Sequence, residues 1–202
     1  MRIEAAAGRV AAADVTSAID VPPFARSAMD GYAVIAADTA GAAPSAPARL
    51  RLLDRIYTGE MSKVTIEPGS CAEIATGAPL PAGADAVVMV EDTARSRDGL
   101  DIDIRATAAT GQHIGRRGAD ITAGDRVVAA GDLLTPSRIG AIAAVGRAEV
   151  DLFAKPRVAI LSTGNEVVEP GRGLAPGQIF DVNRFTLGAI VSAHGGVRSM
   201  RR

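Results

Sequence analysis

The spacing of apolar and polar positions changes several times along the chain, and each change marks an element. Ile3, Ala6, Ala7 and Val10 recur at helical spacing, which predicts a short helix over residues 2–13, packed on one face. Pro22 and Pro23 in IDVPPF end that pattern, because proline cannot continue a helix and biases the preceding residue toward extended geometry. The Ala, Gly, Pro and Ser mixture at 40–48 reads as a surface loop. LRLLDRIYTG, CAEIAT and AVVMV then read as strands, punctuated by Pro79, Pro81 and Gly83. The clearest alternation is LDIDIRA, with Leu100, Ile102 and Ile104 on one face and Asp101, Asp103 and Arg105 on the other. It predicts a half-buried strand in a sheet with one solvated side.

Further on, TPSRIGAIAAVG carries the marks of a helix: Thr135 as N-cap, Pro136 as first helical residue and Gly146 just past the end. AEVDLF follows as an alternating strand. RVAIL is an apolar run of the kind buried in a parallel sheet, and a polar loop, STGNEVVEPGRGLAPG, comes after it. Asp181 or Asn183 then caps a helix, NRFTLGAIVSAH, which Gly195 and Gly196 terminate. The expected fold class is therefore mixed α+β and multi-domain. A bridging α/β region is built from 1–23 and 114–153, a small β domain spans 24–113, and 154–202 holds the first strand–helix unit of an incomplete three-layer α/β domain. After that helix the sequence offers at most one more strand residue, Val197. Apolar surface around Val158, Ile160 and Leu161 is expected to stay uncovered, with poor solubility or local disorder after about residue 155.

Composition removes several function classes. With 48% hydrophobic residues in 202, the chain can bury a real core; its 3% aromatic content leaves that core to Ala, Val, Ile and Leu. A net charge of -1 supplies no global field to recruit nucleic acid or an anionic membrane. Cys71 stands alone, which excludes an internal disulfide framework and a cysteine metal cluster. His113 and His194 are too few for a zinc centre of the usual kind. No run reaches the ~20 apolar residues of a membrane span, and MRIEAAAGRV lacks the apolar middle and cleavage site of a signal peptide. A soluble protein of a reducing, cytoplasmic compartment is expected.

Four polar segments can carry chemistry. In DVPPFARSAMDGYAV, Ser27, Asp30 and Gly31 follow a double proline; a carboxylate beside glycine on a proline-fixed loop can face a metal or a leaving group. Asp-Gly reads equally well as a hairpin turn. In ATGAP, Thr76 and Gly77 follow a strand end, where a hydroxyl and backbone N–H groups can meet a phosphate, although a plain turn explains them too. RRGADI puts Arg116, Arg117, Gly118 and Asp120 within five residues: two guanidinium groups for an oxyanion and a carboxylate for magnesium or water, or a solvated loop with a local ion pair. STGNE sits at the carboxyl end of the RVAIL strand, where ligand crevices open in α/β sheets. Ser162, Thr163 and Gly164 there offer hydroxyl and backbone donors to a phosphate, and Glu166 a carboxylate. Of the 22 basic residues only Lys63 and Lys155 are lysines; arginine suits oxyanions, but biased codon usage gives the same excess.

DVPPFARSAMDGYAV resembles the signature of the molybdopterin molybdenumtransferases, the MoeA proteins and the gephyrin E domain. ATGAPLPAGADAVVMVED, GQHIGRRGADI, PRVAILSTGNEV and GQIFDVNR are similar to four further signatures of that family, in the family's order, so the resemblance runs from about residue 9 to 196. It implies insertion of molybdate into adenylylated molybdopterin with release of AMP. It also implies Mg2+ as cofactor and a homodimer whose site lies between the β domain of one subunit and the α/β domain of the other. An upstream adenylyltransferase is an implied partner; nucleic acid and membrane are not. Carried over residue by residue, the resemblance implies Asp30, Asp120 and Glu166 as catalytic and magnesium-holding groups. It implies Ser27, Thr76, Gly77, Arg116, Arg117, Ser162, Thr163, Gly164, Asp181 and Asn183 as substrate contacts. The family's later Ser-Gly-Gly, Lys-Pro-Gly and Gly-Asn-Pro segments have no match in this sequence, and the family's opening region is cut short. A non-catalytic truncated member that dimerises or binds is the alternative expectation.

Overall fold

The computed structural model describes residues 1–201. They fall into two compact units, Ser17–Asp125 and a second made of Met1–Thr16 with the residues from Arg126 onward. The sequence reading places its boundaries at 23, 113 and 153 and sets 154–202 apart; here those residues group with the 126–153 region.

In the Ser17–Asp125 unit a six-stranded sheet runs in the order Ala86–Met89, Gly31–Val34, Ser70–Ile74, Ala48–Ile56, Asp101–Ile104, Thr93–Arg95. Ala48–Ile56 pairs with Ser70–Ile74 in parallel, and the other pairings are antiparallel. The pleat sends alternate residues to opposite faces. Tyr32, Val34, Leu50, Cys71, Val88, Ile102 and Ile104 pack in one cluster, and Ala33, Ile56, Ala72, Ile74 and Val87 in another. The central strands are thus buried on both faces, which is why GYAV and AVVM show no polar alternation. The Asp101–Ile104 strand, one in from the sheet edge, behaves as its pattern predicts: Ile102 and Ile104 are fully buried, while Asp101 and Asp103 are half-exposed. Asp103 pairs there with Arg49, its opposite number in the register, at 2.8 Å. Leu100 departs from the expected face, since it precedes the strand and lies in solvent. Burial pushes the Cys71 thiol up to about 12, so it is an inert core residue.

The second unit has its own core of Ala6, Ala11, Val128, Leu134, Ile142 and Val150. The Pro136–Ala144 helix starts as expected. The Thr135 hydroxyl accepts from the Arg138 N–H, Pro136 is the first helical residue, and Gly146 takes φ +76° beyond the end. The predicted helix over 2–13 does not form. Only Ile3–Ala5 makes a short 3-10 turn, Gly8 turns the chain at φ +71°, and the rest holds isolated bridges and bends. Val10 bridges to Leu133 and Ala11 to Leu152, and Arg2 bridges to Glu149. Those partners satisfy the backbone groups that a short helix would have to satisfy by itself, at a high nucleation cost. AEVDLF, expected as a strand, is the other half of this arrangement and makes only isolated bridges. Ile142 is fully enclosed. Ile142→Ala is expected to cost about 2–5 kcal/mol through lost burial and a residual cavity, read as a lower urea midpoint at unchanged slope.

From Arg157 the chain builds strand, helix, strand: Arg157–Leu161, Asn183–Ala193 and Val197–Arg201. The last strand is longer than the single β residue expected at Val197. It pairs in parallel with Arg157–Leu161 over five positions, from Arg157↔Val197 to Leu161↔Arg201. A parallel ladder is made by the backbone, so an arginine-rich sequence can supply it. Ile160 is covered at 6% exposure, which corrects its expected place on the surface, whereas Val158 and Leu161 remain exposed. No helix among the described residues is long and apolar enough to cross a membrane.

Candidate functional site

Asp30 lies at the end of the loop that leads into the Gly31–Val34 strand. It is not part of a hairpin turn: Gly31 already belongs to the strand and pairs with Met89 on one side and Ile74 on the other. A Cβ on Gly31 would stand 1.9 Å from the Val88 carbonyl oxygen, so glycine is required by the close passage of two backbones. Asp30 itself is exposed, and its Oδ1 accepts the Thr76 backbone N–H at 2.7 Å. This bond, and after it the Thr76 hydroxyl, hold the Asp30 carboxyl below its usual range. The structure therefore brings together Asp30 and Thr76, 46 residues apart. Gly77 follows in a turn with φ +80°, and its N–H donates to the Ser27 carbonyl at 2.8 Å. Ser27 is buried; its hydroxyl donates to the Met29 carbonyl and accepts the Met29 N–H, so it holds the loop's shape.

A cavity of about 180 Å³ opens beside Asp30 and is lined also by Arg55, Tyr57, Glu73 and Val90. Arg55 and Glu73 face each other across the parallel strand pair and join at 2.9 Å, and Arg95 reaches the same carboxylate. No sequence pattern announces these lining residues, because the register that pairs 55 with 73 is set by the sheet.

The segment carrying Arg116, Arg117 and Asp120 runs antiparallel to the 20–27 segment. Val21 bridges to Ile121, and Arg26–Ser27 pairs with Ile114–Gly115. Arg117 Nε donates to Asp20 Oδ2 at 2.6 Å, and the Ala123 N–H donates to Asp20 Oδ1 at 2.9 Å. Those bonds, the Ala123 one first, lower the Asp20 carboxyl. The ion pair on this loop is thus long-range in sequence, and it commits Arg117 to positioning. Arg116 and Asp120 stay exposed, and the Asp120 N–H donates to the Val21 carbonyl at 2.9 Å. The antiparallel pairing places Asp120 beside Val21 and the opposite end of the segment beside Arg26 and Ser27.

In the other unit Ser162 follows directly on the Arg157–Leu161 strand, as the sequence implied. Val167–Val168 pairs in parallel with Ile179–Phe180, and the Asp181 N–H then donates to the Val168 carbonyl at 2.9 Å. Asp181 is buried. Its Oδ2 accepts the Ser162 hydroxyl and its Oδ1 the Arg184 N–H at 2.9 Å, and these bonds lower its carboxyl. Asn183 is the first residue of the helix and Val182 its N-cap, without a side-chain cap bond; the Asp181 carboxylate satisfies a first-turn N–H from one residue further out. A cavity of about 510 Å³ is lined by Ser162, Gly164, Asp181, Arg172, Arg184 and their neighbours. A second, of about 450 Å³, shares Ser162, Asp181 and Arg184 and adds Thr163 and Asn183. Gly164 has φ +128°, and the exposed Glu166 carboxylate folds over it: a Cβ on Gly164 would come within 2.6 Å of Oε1. Arg172 and Arg184 were not singled out from sequence, although Arg184 directly follows Asn183 in the DVNR segment.

Asp30 and Asp120 thus belong to one unit and Glu166 to the other. Among the described residues no three His, Cys, Asp or Glu side chains come together as a metal site.

A family model described as the MoeA N-terminal region, domains I and II, matches residues 1–146. The chain is 42% identical over 190 residues to molybdopterin molybdenumtransferase 2 of Mycobacterium tuberculosis, covering 94% of this chain and 46% of that protein. It is 38% identical over 191 residues to the molybdopterin molybdenumtransferase of Nostoc sp., covering 95% and 43%. Two crystal structures of a molybdopterin biosynthesis MoeA protein from Pyrococcus horikoshii superpose with TM-scores of 0.89 and 0.90, at 42% and 32% identity. They cover 99% and 100% of this chain, and the chain covers 51% and 53% of theirs. It therefore spans about half the length of the curated relatives it matches.

Proposed function

Since the chain belongs to the MoeA family, we propose that it works in molybdenum cofactor biosynthesis, as the part of a molybdopterin molybdenumtransferase that carries Asp30 and the Ser162–Asp181 cavity. The substrates in this reading are adenylylated molybdopterin and molybdate, and the reaction cleaves the phosphoanhydride and releases AMP. Asp30 is the observation that carries it. An exposed carboxylate, held ionised by a backbone N–H and set beside a cavity, is built to act on charge in a bound substrate rather than to support the fold.

Asp120, Arg116 and Glu166 are exposed polar groups of matching signatures and take supporting roles at substrate or metal; Thr163, Gly164 and Asn183 line the pterin-side cavities. Thr76 acts by fixing Asp30, Gly77 and Ser27 by holding its loop, and Arg117 by anchoring the 116–120 loop to Asp20. The reading includes Mg2+, which the carboxylates of Asp30, Asp120 and Glu166 would hold as oxygen donors and which would supply positive charge to the phosphate being cleaved. A homodimer, an upstream adenylyltransferase that supplies the substrate, and a cytoplasmic location complete the proposal.

The test is AMP release from adenylylated molybdopterin with molybdate and magnesium. It is run on this chain alone and on this chain mixed with the part of the Mycobacterium tuberculosis relative that it does not match. Molybdate-dependent release in either mixture supports the proposal. Absence of release in both, with the complete relative active in parallel, assigns the chain to binding or dimerisation instead.

A further inference from the structure

The chain repeats itself just before the Gly31–Val34 strand: Ser-Ala-x-Asp occurs at 17–20 and again at 27–30. The two copies fold alike. Both serines are buried, and each hydroxyl donates to the carbonyl two residues on, Ser17 to Ile19 and Ser27 to Met29, at 2.5 Å. Each copy docks on a glycine turn. The Ser17 N–H donates to the Asp125 carbonyl and its carbonyl accepts the Gly124 N–H; Ser27 does the same with Ala78 and Gly77. Each aspartate Oδ1 then accepts the N–H of the residue before that glycine, Ala123 at 2.9 Å and Thr76 at 2.7 Å.

The copies differ in what holds them closed. At 17–20, Arg117 Nε donates to the second oxygen of Asp20 at 2.6 Å, and within the 122–125 turn the Asp125 carboxylate accepts the Thr122 N–H at 2.8 Å. At 27–30 neither arrangement recurs among the described residues: Asp30 forms no ion pair, and position 78 is alanine. An arginine on Asp30 would cover the carboxylate that lines the cavity of about 180 Å³. A lock comes instead from the loop after the Ala48–Ile56 strand. The exposed Thr58 hydroxyl donates to the Thr76 carbonyl at 3.0 Å, and the Thr58 methyl lies 3.8 Å from where a Cβ on Gly77 would stand. That carbonyl belongs to the central peptide of the 75–78 turn, which the Ala78 N–H closes on the Ala75 carbonyl at 3.0 Å. Gly77 at φ +80° gives the turn its type II form. Rotating the central peptide by about 180° yields a type I turn, which glycine also tolerates. The rotation would take the Gly77 N–H off the Ser27 carbonyl and loosen the Thr76 N–H on Asp30.

We propose that Thr58 is a positioning residue for Asp30: its hydroxyl locks the 75–78 turn in the form that aims the Thr76 N–H at the Asp30 carboxylate. One hydrogen bond biases such an equilibrium roughly two- to tenfold. The use of the lock in a reaction rests on the reading of Asp30 given above; the lock itself rests on the turn geometry.

Backbone amide exchange, followed by NMR on the chain alone, tests the lock in Thr58→Val and Thr58→Ser. Valine keeps the shape and loses the hydroxyl, and Thr58 is exposed, so the fold tolerates the change. The Thr76 and Gly77 amides are expected to exchange several-fold faster in Thr58→Val and to regain their protection in Thr58→Ser. Those of Ala123 and Gly124, in the matching turn, are expected to stay unchanged and so report an intact fold in the same molecule. Unchanged exchange at Thr76 and Gly77, equal acceleration of all four amides, or no recovery with serine overturns the proposal. In the AMP-release assay, Thr58→Val is expected to lower kcat several-fold with KM little changed, and Thr58→Ser to restore it. Faster exchange with unaltered kcat would leave the lock standing and remove Asp30 from the reaction. Unaltered exchange with lowered kcat would remove the lock and leave Asp30 in place.

Discussion

Gly31→Ala is expected to unfold the Ser17–Asp125 unit or to lower its stability by about 3 kcal/mol or more, at the upper end of what overpacking a well-filled interior costs. The added Cβ would meet the Val88 carbonyl oxygen at 1.9 Å and its carbon at 2.9 Å. Both are backbone, so no side-chain rotation relieves the clash. Relief requires separating Gly31–Val34 from Ala86–Met89, and that ladder is four registers long, inside a sheet whose central strands are buried on both faces. A control separates this effect from a general cost of removing glycine. Gly140 lies in the Pro136–Ala144 helix with nothing within 4 Å of its would-be Cβ, so Gly140→Ala is expected to be neutral or to stabilise by up to about 1 kcal/mol through helix propensity. Urea unfolding of the two variants reads both. Equal midpoints for Gly31→Ala and the natural chain would show that the two strands do not pass as described.

Asp30→Asn is expected to leave folding intact and to lower molybdate-dependent AMP release by about 10²-fold or more, the scale of losing one pre-positioned electrostatic group. Asparagine keeps an oxygen that can accept the Thr76 N–H, so the loop geometry persists while the charge is lost. A far smaller effect would assign Asp30 to the loop and leave the reaction to other groups. The pH dependence has a definite sign. The Asp30 carboxyl is held below its ordinary value, first by the Thr76 backbone N–H and then by the Thr76 hydroxyl. A depressed carboxyl contributes stability that is complete above its unfolded value, ~3.9 for aspartate, and is lost as pH falls through the lower folded value. The acid limb of activity that belongs to Asp30 therefore falls below the ordinary carboxylate range, and Asp30→Asn is expected to abolish that limb.

Local signals decide the outcome where a single residue's chemistry suffices. Thr135, Pro136 and Gly146 mark the ends of their helix because capping and backbone dihedral limits act within one turn. Ile102 and Ile104 announce a half-buried strand because the pleat alternates whatever the partner. The segments at Asp30, Thr76, Arg116–Asp120 and Ser162–Asp181 are legible as polar segments between the strands and helices. Their partners are not. Asp30 meets Thr76, Arg117 meets Asp20, and Arg55 meets Glu73 through registers and loop closures that no local pattern encodes. Asp-Gly, which reads as a turn, became the entry to a central strand once two backbones crossed there.

By itself the sequence determined the capped helices, the periodic strands, the five ordered signatures and hence the family. All of these depend on interactions within a few residues, or on matching a pattern. Only the tertiary structure decided that Arg2, Val10 and Ala11 bridge to distant residues in place of a helix over 2–13, and that Val197–Arg201 forms a second parallel strand. It alone decided that Arg184, one residue beyond the last polar position singled out, carries a buried donor into two cavities. The physical reason is the same in each case. Backbone and side-chain polar groups must be satisfied wherever burial puts them, and what satisfies them comes from positions far apart in sequence that folding alone brings together.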